Sequence, residues 1–307
     1  MTSEATQAPR PEARMAVPVT RGPATALIRD TVDASVQRLL AADPIARLGE
    51  DPEGVHQARV ATRRLRSDLR TFAPLLDPVW VTSLRDELRW LGGELGAARE
   101  SEVLLGHLRD RATALPPDIE RNVRPVLDAA RGDRETAQQR VLGTLQSSRY
   151  LDLVDRLVLG ALAPRMGPGA GSATTRDLTR LARRPWKRLR RDYLALGPDP
   201  ADAALHAVRI RAKRARYAVE AVAGAVDGDR PRQFAAALTD LQDVLGDHQD
   251  AVVAQAWLRA RIAPGPPAET YAVGMLAGLL RVDALAATDR LAGTWHRASR
   301  RRLRSWM

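Results

Sequence analysis

Two stretches of this chain collect side chains suited to binding phosphate oxygens. The first, VHQARVATRRLRSDLR at 55–70, carries His56, Arg59, Arg63, Arg64, Arg66 and Arg70 against one acid, Asp68. The second, LHAVRIRAKRARYAVE at 205–220, carries His206, Arg209, Lys213, Arg214 and Arg216. Arginine presents a fixed planar fork that matches phosphate geometry, where lysine offers a point charge. Neutral histidine adds an N–H donor near pH 7 and a positive charge below about 6.5. At helical periodicity, His56, Arg59, Arg63, Arg66 and Arg70 fall on one side, with Ala58, Thr62, Leu65, Leu69 and Phe72 opposite. The second stretch repeats the division, with His206, Arg209, Lys213 and Arg216 facing away from Val208, Ala212, Ala215, Val219 and Val222. From each histidine to the last shared arginine is about 15 Å of helix axis.

A solvated helix face usually interleaves acids with bases at i,i+4, a pairing worth about 0.2–0.5 kcal/mol. Here Arg59 and Arg63, and Arg66 and Arg70, set like charges at that spacing. Repulsion accepted twice, in two matching stretches, points to an anionic ligand. A third cluster, RRPWKRLRRDY at 183–193, adds Arg188, which aligns with Arg38 earlier in the chain.

The elements that must position these residues are helical. Segments with helical spacing are predicted at 24–42, 52–76, 78–95 and 100–115, with two more reaching residue 163. Further segments follow at 176–196, 200–226, 231–246, 248–262 and 268–302. The Gly- and Pro-rich run at 164–175 reads as a linker. Offsetting the chain by 150 residues superimposes His56, Arg59, Arg64 and Arg66 on His206, Arg209, Arg214 and Arg216. The same offset lays LRWLGGELGAARESEV at 88–103 over LTDLQDVLGDHQDAVV at 238–253 without a gap. The expected fold is all-α: two four-helix-bundle-like halves, 23–163 and 176–302, related by a pseudo-two-fold axis. Residues 1–22 read as a flexible tail, and 303–307 as a basic end.

Composition narrows the ligand classes. Of 307 residues, 48 are Lys or Arg and 37 Asp or Glu, a formal net charge of +11, and Lys187 and Lys213 are the only lysines. Such an excess suits a polyanion and says nothing about fold. Without cysteine there are neither disulfides nor thiolate metal sites. No uninterrupted apolar run reaches about 18 residues, so a membrane-spanning helix and a membrane partner are not expected. Residues 1–22 lack the apolar core of a signal peptide, and the expected location is cytoplasmic.

The paired motifs resemble a CHAD domain, the conserved-histidine α-helical domain. The resemblance rests on His56 with Arg59, Arg63, Arg64 and Arg66, and on His206 with Arg209, Lys213, Arg216 and Tyr217. It extends to the segments Leu95-Gly96 through Arg99 and Glu100, and Leu245-Gly246 through Asp250. It covers roughly 24–302 and implies a basic surface groove that binds inorganic polyphosphate without catalysis or a cofactor. It also implies an association with polyphosphate granules and their proteins. Where the family usually has Asp, this chain has Glu100. Many such domains are fused to a triphosphate tunnel barrel; residues 1–23 are too few for one, and a stand-alone copy is expected.

On this reading the polyphosphate-binding candidates are His56, Arg59, Arg63, Arg64, Arg66, Arg70, His206, Arg209, Lys213, Arg214, Arg216, Arg38 and Arg188. Arg99, Glu100, Asp250 and Tyr217 are expected to support them. The alternative for His56 and His206 is a structural contact, each packed against the other half, and His107 and His296 read as surface or packing residues. Two other functions compete. A metal-dependent phosphohydrolase would draw on His56, His206, His248 and Asp250, but acids are sparse beside the stripes and no GxxxxGK phosphate cradle occurs. Nucleic acid suits the charge, yet single-strand binding recruits stacked aromatics, and the stripes hold only Phe72 and Tyr217. Nucleic acid is therefore expected as a non-specific competitor.

Overall fold

The structure, a computed structural model, describes residues 22–49, 51–261 and 265–307. The expected N-terminal tail, apart from Gly22, and most of the break after residue 261 lie outside them. Among the described residues ten α-helices are placed: α1 Pro23–Leu48, α2 Pro52–Phe72, α3 Pro78–Ala112, α4 Pro117–Glu120, α5 Arg124–Leu145, α6 Ser148–Leu162, α7 Thr175–Leu194, α8 Asp202–Val222, α9 Arg230–Arg259 and α10 Pro267–Ala298. Among the described residues no strand occurs, only an isolated bridge between Leu76 and Met166. The fold is all-α, as the spacing predicts.

Local chemistry sets the helix that opens the site. The Asp51 side chain accepts a hydrogen bond from the Glu53 amide at 2.8 Å, and Pro52 supplies a pre-set first turn for α2. Its predicted inner face is fully buried, with Ala58, Thr62, Leu65, Leu69 and Phe72 all at most 1% exposed. The inner face of α8 is buried just as deeply. Both helices end in a short 3-10 turn, Ala73–Leu75 and Ala223–Ala225, so their bounds repeat the offset of 150. Each of the two lies against the helices before and after it, α2 touches α8, and α3 touches α9.

Four features differ from expectation. First, α1 runs through Pro44 to Leu48 and stops at Gly49, whose φ of 70° is left-handed. Burial of Ala42 and Ala46, with Asp43 accepting from Tyr150 Oη at 2.5 Å, outweighs the amide that proline lacks. Second, α3 and α9 are each continuous, not broken near Gly96 and Gly246. Third, the 164–175 segment is a docked connector. The Asp77 amide donates to Arg165 O and the Gly167 amide to Leu75 O, both at 2.9 Å, while Ala170 is fully buried. Fourth, α10 is long and apolar enough to cross a membrane by length and composition, its most apolar window having a mean hydropathy of 1.3 with 33% buried. Its inward residues Ala272, Leu276, Leu280, Ala284 and Leu291 fit a core helix, and mid-helix Asp283 pairs with Arg111 at 2.8 Å.

The core follows the helix axes. One cluster joins α1, α2 and the first part of α3 with α7, α8 and the first part of α9. A second gathers the far ends of α3 and α9 around Leu108, Leu258 and Leu276 of α10. Apolar packing within the first cluster thus holds the inner faces of both α2 and α8, which places their outer faces.

Candidate functional site

The outer faces of α2 and α8 converge on one groove of about 560 Å³. From α2 come His56, Arg59 and Arg63; from α8, His206, Arg209 and Lys213; from α3, Arg99 and Glu100; and from α9, Asp250. Nine of the predicted residues are therefore brought together.

The glycines within α3 and α9 have a positional reason. A Cβ built on Gly96 would lie 3.9 Å from Arg59 Nε, and one on Gly246 would lie 3.6 Å from an Arg209 terminal nitrogen. Both distances are ordinary van der Waals contact that an alanine would also make, so each guanidinium rests over its helix at the glycine, and Leu-Gly here marks a seat and not a helix end.

Hydrogen bonding inside the groove is incomplete. His56 Nδ1, Arg63 Nε and Arg209 Nε are buried without a partner. An unmade bond at a buried donor costs about 1–3 kcal/mol, which an incoming oxygen acceptor offsets. Arg59 meets Glu100 only at 3.8 Å. His206 Nδ1 sits 2.6 Å from Gln249 Oε1, a contact within its own part of the chain and not across the seam. The amide oxygen makes Nδ1 the donor of that pair.

Crowded cations shape the titration. Burial, then Arg209, Arg63 and Arg59, push Lys213 down to about 7, with Asp250 opposing. Burial and neighbouring arginines likewise hold Arg59 below its ordinary value. For Arg209 burial leads, partly offset by Asp250. His56 is lowered chiefly by burial and then by Arg99, which keeps it neutral at pH 7. On Asp250, burial raises the carboxyl while Arg209, His107 and Lys213 pull it back.

Other candidates stand elsewhere. Arg70, Arg188 and Arg214 line a second pocket that shares no residue with the groove. Arg66 lies near Arg214, Arg85 and Arg89 on the same side. Arg64 is held in an ion pair by Glu220 and lies 3.2 Å from Asp68. Arg216 lies 3.7 Å from Glu220 and donates to Thr239 Oγ1 at 3.3 Å. Tyr217 is buried beneath Arg63, Arg64 and Arg216, whose guanidiniums lie 4.6–5.7 Å from its ring centre. Arg38 is exposed on α1, within electrostatic reach of buried Asp68 and outside the groove lining.

Sequence reasoning missed Gln242, Asp243, Asp247 and Gln249 of α9, which also line the groove. Nothing marks them at the offset of 150, where Gly92, Gly93, Ala97 and Arg99 stand. The groove is accordingly mixed in charge, with four carboxylates beside its cations, although Asp247 is taken up by Arg290 at 2.7 Å. His107, read as surface or packing, lies within electrostatic reach of Asp250. His248 is buried with Nε2 3.2 Å from Asp202. Among the described residues no group of three or more His, Asp or Glu is arranged to hold a metal ion.

An all-α chain with two histidine-led basic helices converging on an outer groove defines a class, and the comparisons identify it. The chain belongs to the CHAD domain family, whose profile matches residues 30–259. An uncharacterized protein in each of two Mycobacterium tuberculosis strains is 34% identical over 259 residues, covering 81% of this chain and 48% of the relative. The chain spans about half the length of these curated relatives. Among solved structures, PptA from Streptomyces chartreusis is similar at a TM-score of 0.75 and 28% identity, over 88% of this chain and 98% of that one. The CHAD domain from the plant Ricinus communis matches at a TM-score of 0.70 and 26% identity, over 95% of this chain and 97% of that one.

Proposed function

We propose that the chain binds inorganic polyphosphate in the groove between α2 and α8, as a receptor and not a catalyst. The observation that carries this reading is the pair of buried, unpartnered guanidinium donors on the two sides of the groove, Arg63 Nε of α2 and Arg209 Nε of α8, with His56 Nδ1 buried and unpartnered as well. They call for acceptor oxygens from more than one direction, which a linear chain of phosphates supplies along its length. Family membership supports a polyphosphate-related role. Nucleic acid competes less well, because Tyr217 is buried under guanidiniums and offers no platform to a base. A cytoplasmic location and recruitment to polyphosphate granules, with granule proteins as secondary partners, belong to the same proposal.

The test is a titration of labelled polyphosphate against wild type and an Arg63→Glu/Lys213→Glu variant, with duplex DNA as competitor. Binding is expected to vanish in the variant while circular dichroism stays helical. Polyphosphate is expected to displace DNA far more readily than the reverse. Unchanged affinity in the variant would move the site away from this groove.

A further inference from the structure

The outer edge of α7 and the 3-10 turn Arg301–Arg304 form a further basic face, in which aromatic rings are set among the cations. At helical period Arg183, Lys187, Arg190 and Leu194 fall in one row of α7 about 16 Å long, and all four are exposed. The row is displaced by one residue from Arg184 and Arg188, which line the second pocket. At its end Leu194 is 58% exposed. The 3-10 turn adds cations of its own. Burial, then Arg190 and Arg301, hold Arg304 below its ordinary value, so these three lie close together. Nearby acids are engaged elsewhere: Asp192 by Arg191 and Arg211, both at 2.7 Å, while Asp240 lies 4.0 Å from Arg297. Among the described residues no carboxylate stands within ion-pair distance of Lys187, Arg190, Arg301 or Arg304.

A stack of rings runs beside these cations. The Arg304 guanidinium lies 4.8 Å from the centre of the Trp186 ring. Trp186 stacks on Trp295 at 5.5 Å, and Trp295 on Tyr193 at 3.8 Å and 12° from parallel. Trp186 is buried, whereas Trp295 and Tyr193 are half-buried, so the stack runs from the core to the surface. The face belongs to the second half alone. At the offset of 150, Asp33, Gln37 and Leu40 stand for Arg183, Lys187 and Arg190, and Asp43 and Leu145 for Tyr193 and Trp295. Internal repetition therefore does not account for it, and none of its residues lines the groove or the second pocket.

We propose that this face binds single-stranded nucleic acid, with a base laid on the Tyr193–Trp295 stack and the flanking phosphates met by Arg190, Arg301 and Arg304. Two chemistries coincide here. Stacked rings reward a planar base, and guanidinium forks reward the phosphates beside it. A phosphate chain without bases leaves the rings unused, and a duplex keeps its base faces inside. RNA and DNA single strands share the required chemistry. The proposal rests on this face alone and stands whatever the groove binds.

The test uses the full chain carrying Arg63→Glu/Lys213→Glu, so that strands held in the groove are not counted. Fluorescence anisotropy of labelled single-stranded oligonucleotides, one RNA and one DNA, is expected to show saturable binding. Adding Tyr193→Ala is expected to weaken it about fivefold or more, and Tyr193→Phe, which keeps the ring, to leave it unchanged. Arg190→Ala/Arg301→Ala, at two exposed positions, is expected to weaken binding and to lower its salt slope by about 1.4. Where Tyr193→Ala fails to fold, tryptophan emission of the parent chain takes its place: quenching by the bound strand supports the stack, and unchanged emission overturns it. Tighter binding of RNA or of DNA assigns the source, and either agrees with the site. Absence of saturable binding by both strands overturns the proposal. So does a loss confined to the arginine pair with folded Tyr193→Ala silent, which would leave a charged patch without stacking.

Discussion

Lys213 occupies the most crowded point of the groove, and its titration is the sharpest test at the scale of single residues. Because its folded value is pushed down to about 7 from the ordinary lysine value of 10.5, the free protein holds this lysine partly neutral at pH 7 and mostly neutral by pH 9. A bound polyanion favours the charged form, so binding takes up a proton across that window and affinity falls as pH rises through it. Calorimetry in buffers of differing ionisation enthalpy is expected to show this uptake above pH 7 in wild type. Lys213→Arg, always charged, is expected to lack it while still binding. For the protein alone, the sign is opposite. The depressed value means the charged lysine costs stability below pH 7, a cost relieved between about pH 7 and 10.5.

Among the elements, α9 carries the plainest prediction. Gly246→Ala puts a methyl at ordinary contact distance from Arg209, 3.6 Å, and replaces a helix-interior glycine, so a gain of roughly 1 kcal/mol in stability is expected with binding kept. Gly246→Leu pushes carbons into the guanidinium's seat and is expected to weaken polyphosphate binding with helicity unchanged. Equal binding by the two variants would refute the seat. The faces of α2 and α8 were legible in the sequence because helical period alone separates Arg59 from Leu65 and Arg209 from Ala215. Helix ends were read less well: Pro44 and Gly96 act as breakers locally, and only packing between elements overrides them. The carboxylates of α9 and the split of the basic stripe into groove and pocket were not legible. Both depend on which helix lies opposite which, as does the capture of Arg64 by Glu220.

For the whole molecule, distributed contacts predict a steep response to salt. If Arg59, Arg63, Arg99, Arg209 and Lys213 each meet a phosphate, the logarithm of the affinity falls about 3.5 units per tenfold rise in salt, by analogy with single strands. Binding measured from low to physiological salt tests this, and a nearly flat line would exclude a groove of many contacts. Four carboxylates on the wall act the other way, and the net charge of +11 supplies long-range steering more than local affinity.

The docked connector and the packed helices have a consequence for how long a phosphate chain the proposed receptor would grip. Backbone hydrogen bonds fasten it beside the start of α3, and a Cβ on Gly22 would strike Gly171 O at 2.6 Å, so the ends of α1 and α7 have no slack between them. The groove itself is lined by α2, α3, α8 and α9, which pack on one another, and on the proposed function it works as a fixed gauge. Each added phosphate should tighten the grip only until the span is filled, after which further length improves avidity by offering more places to land.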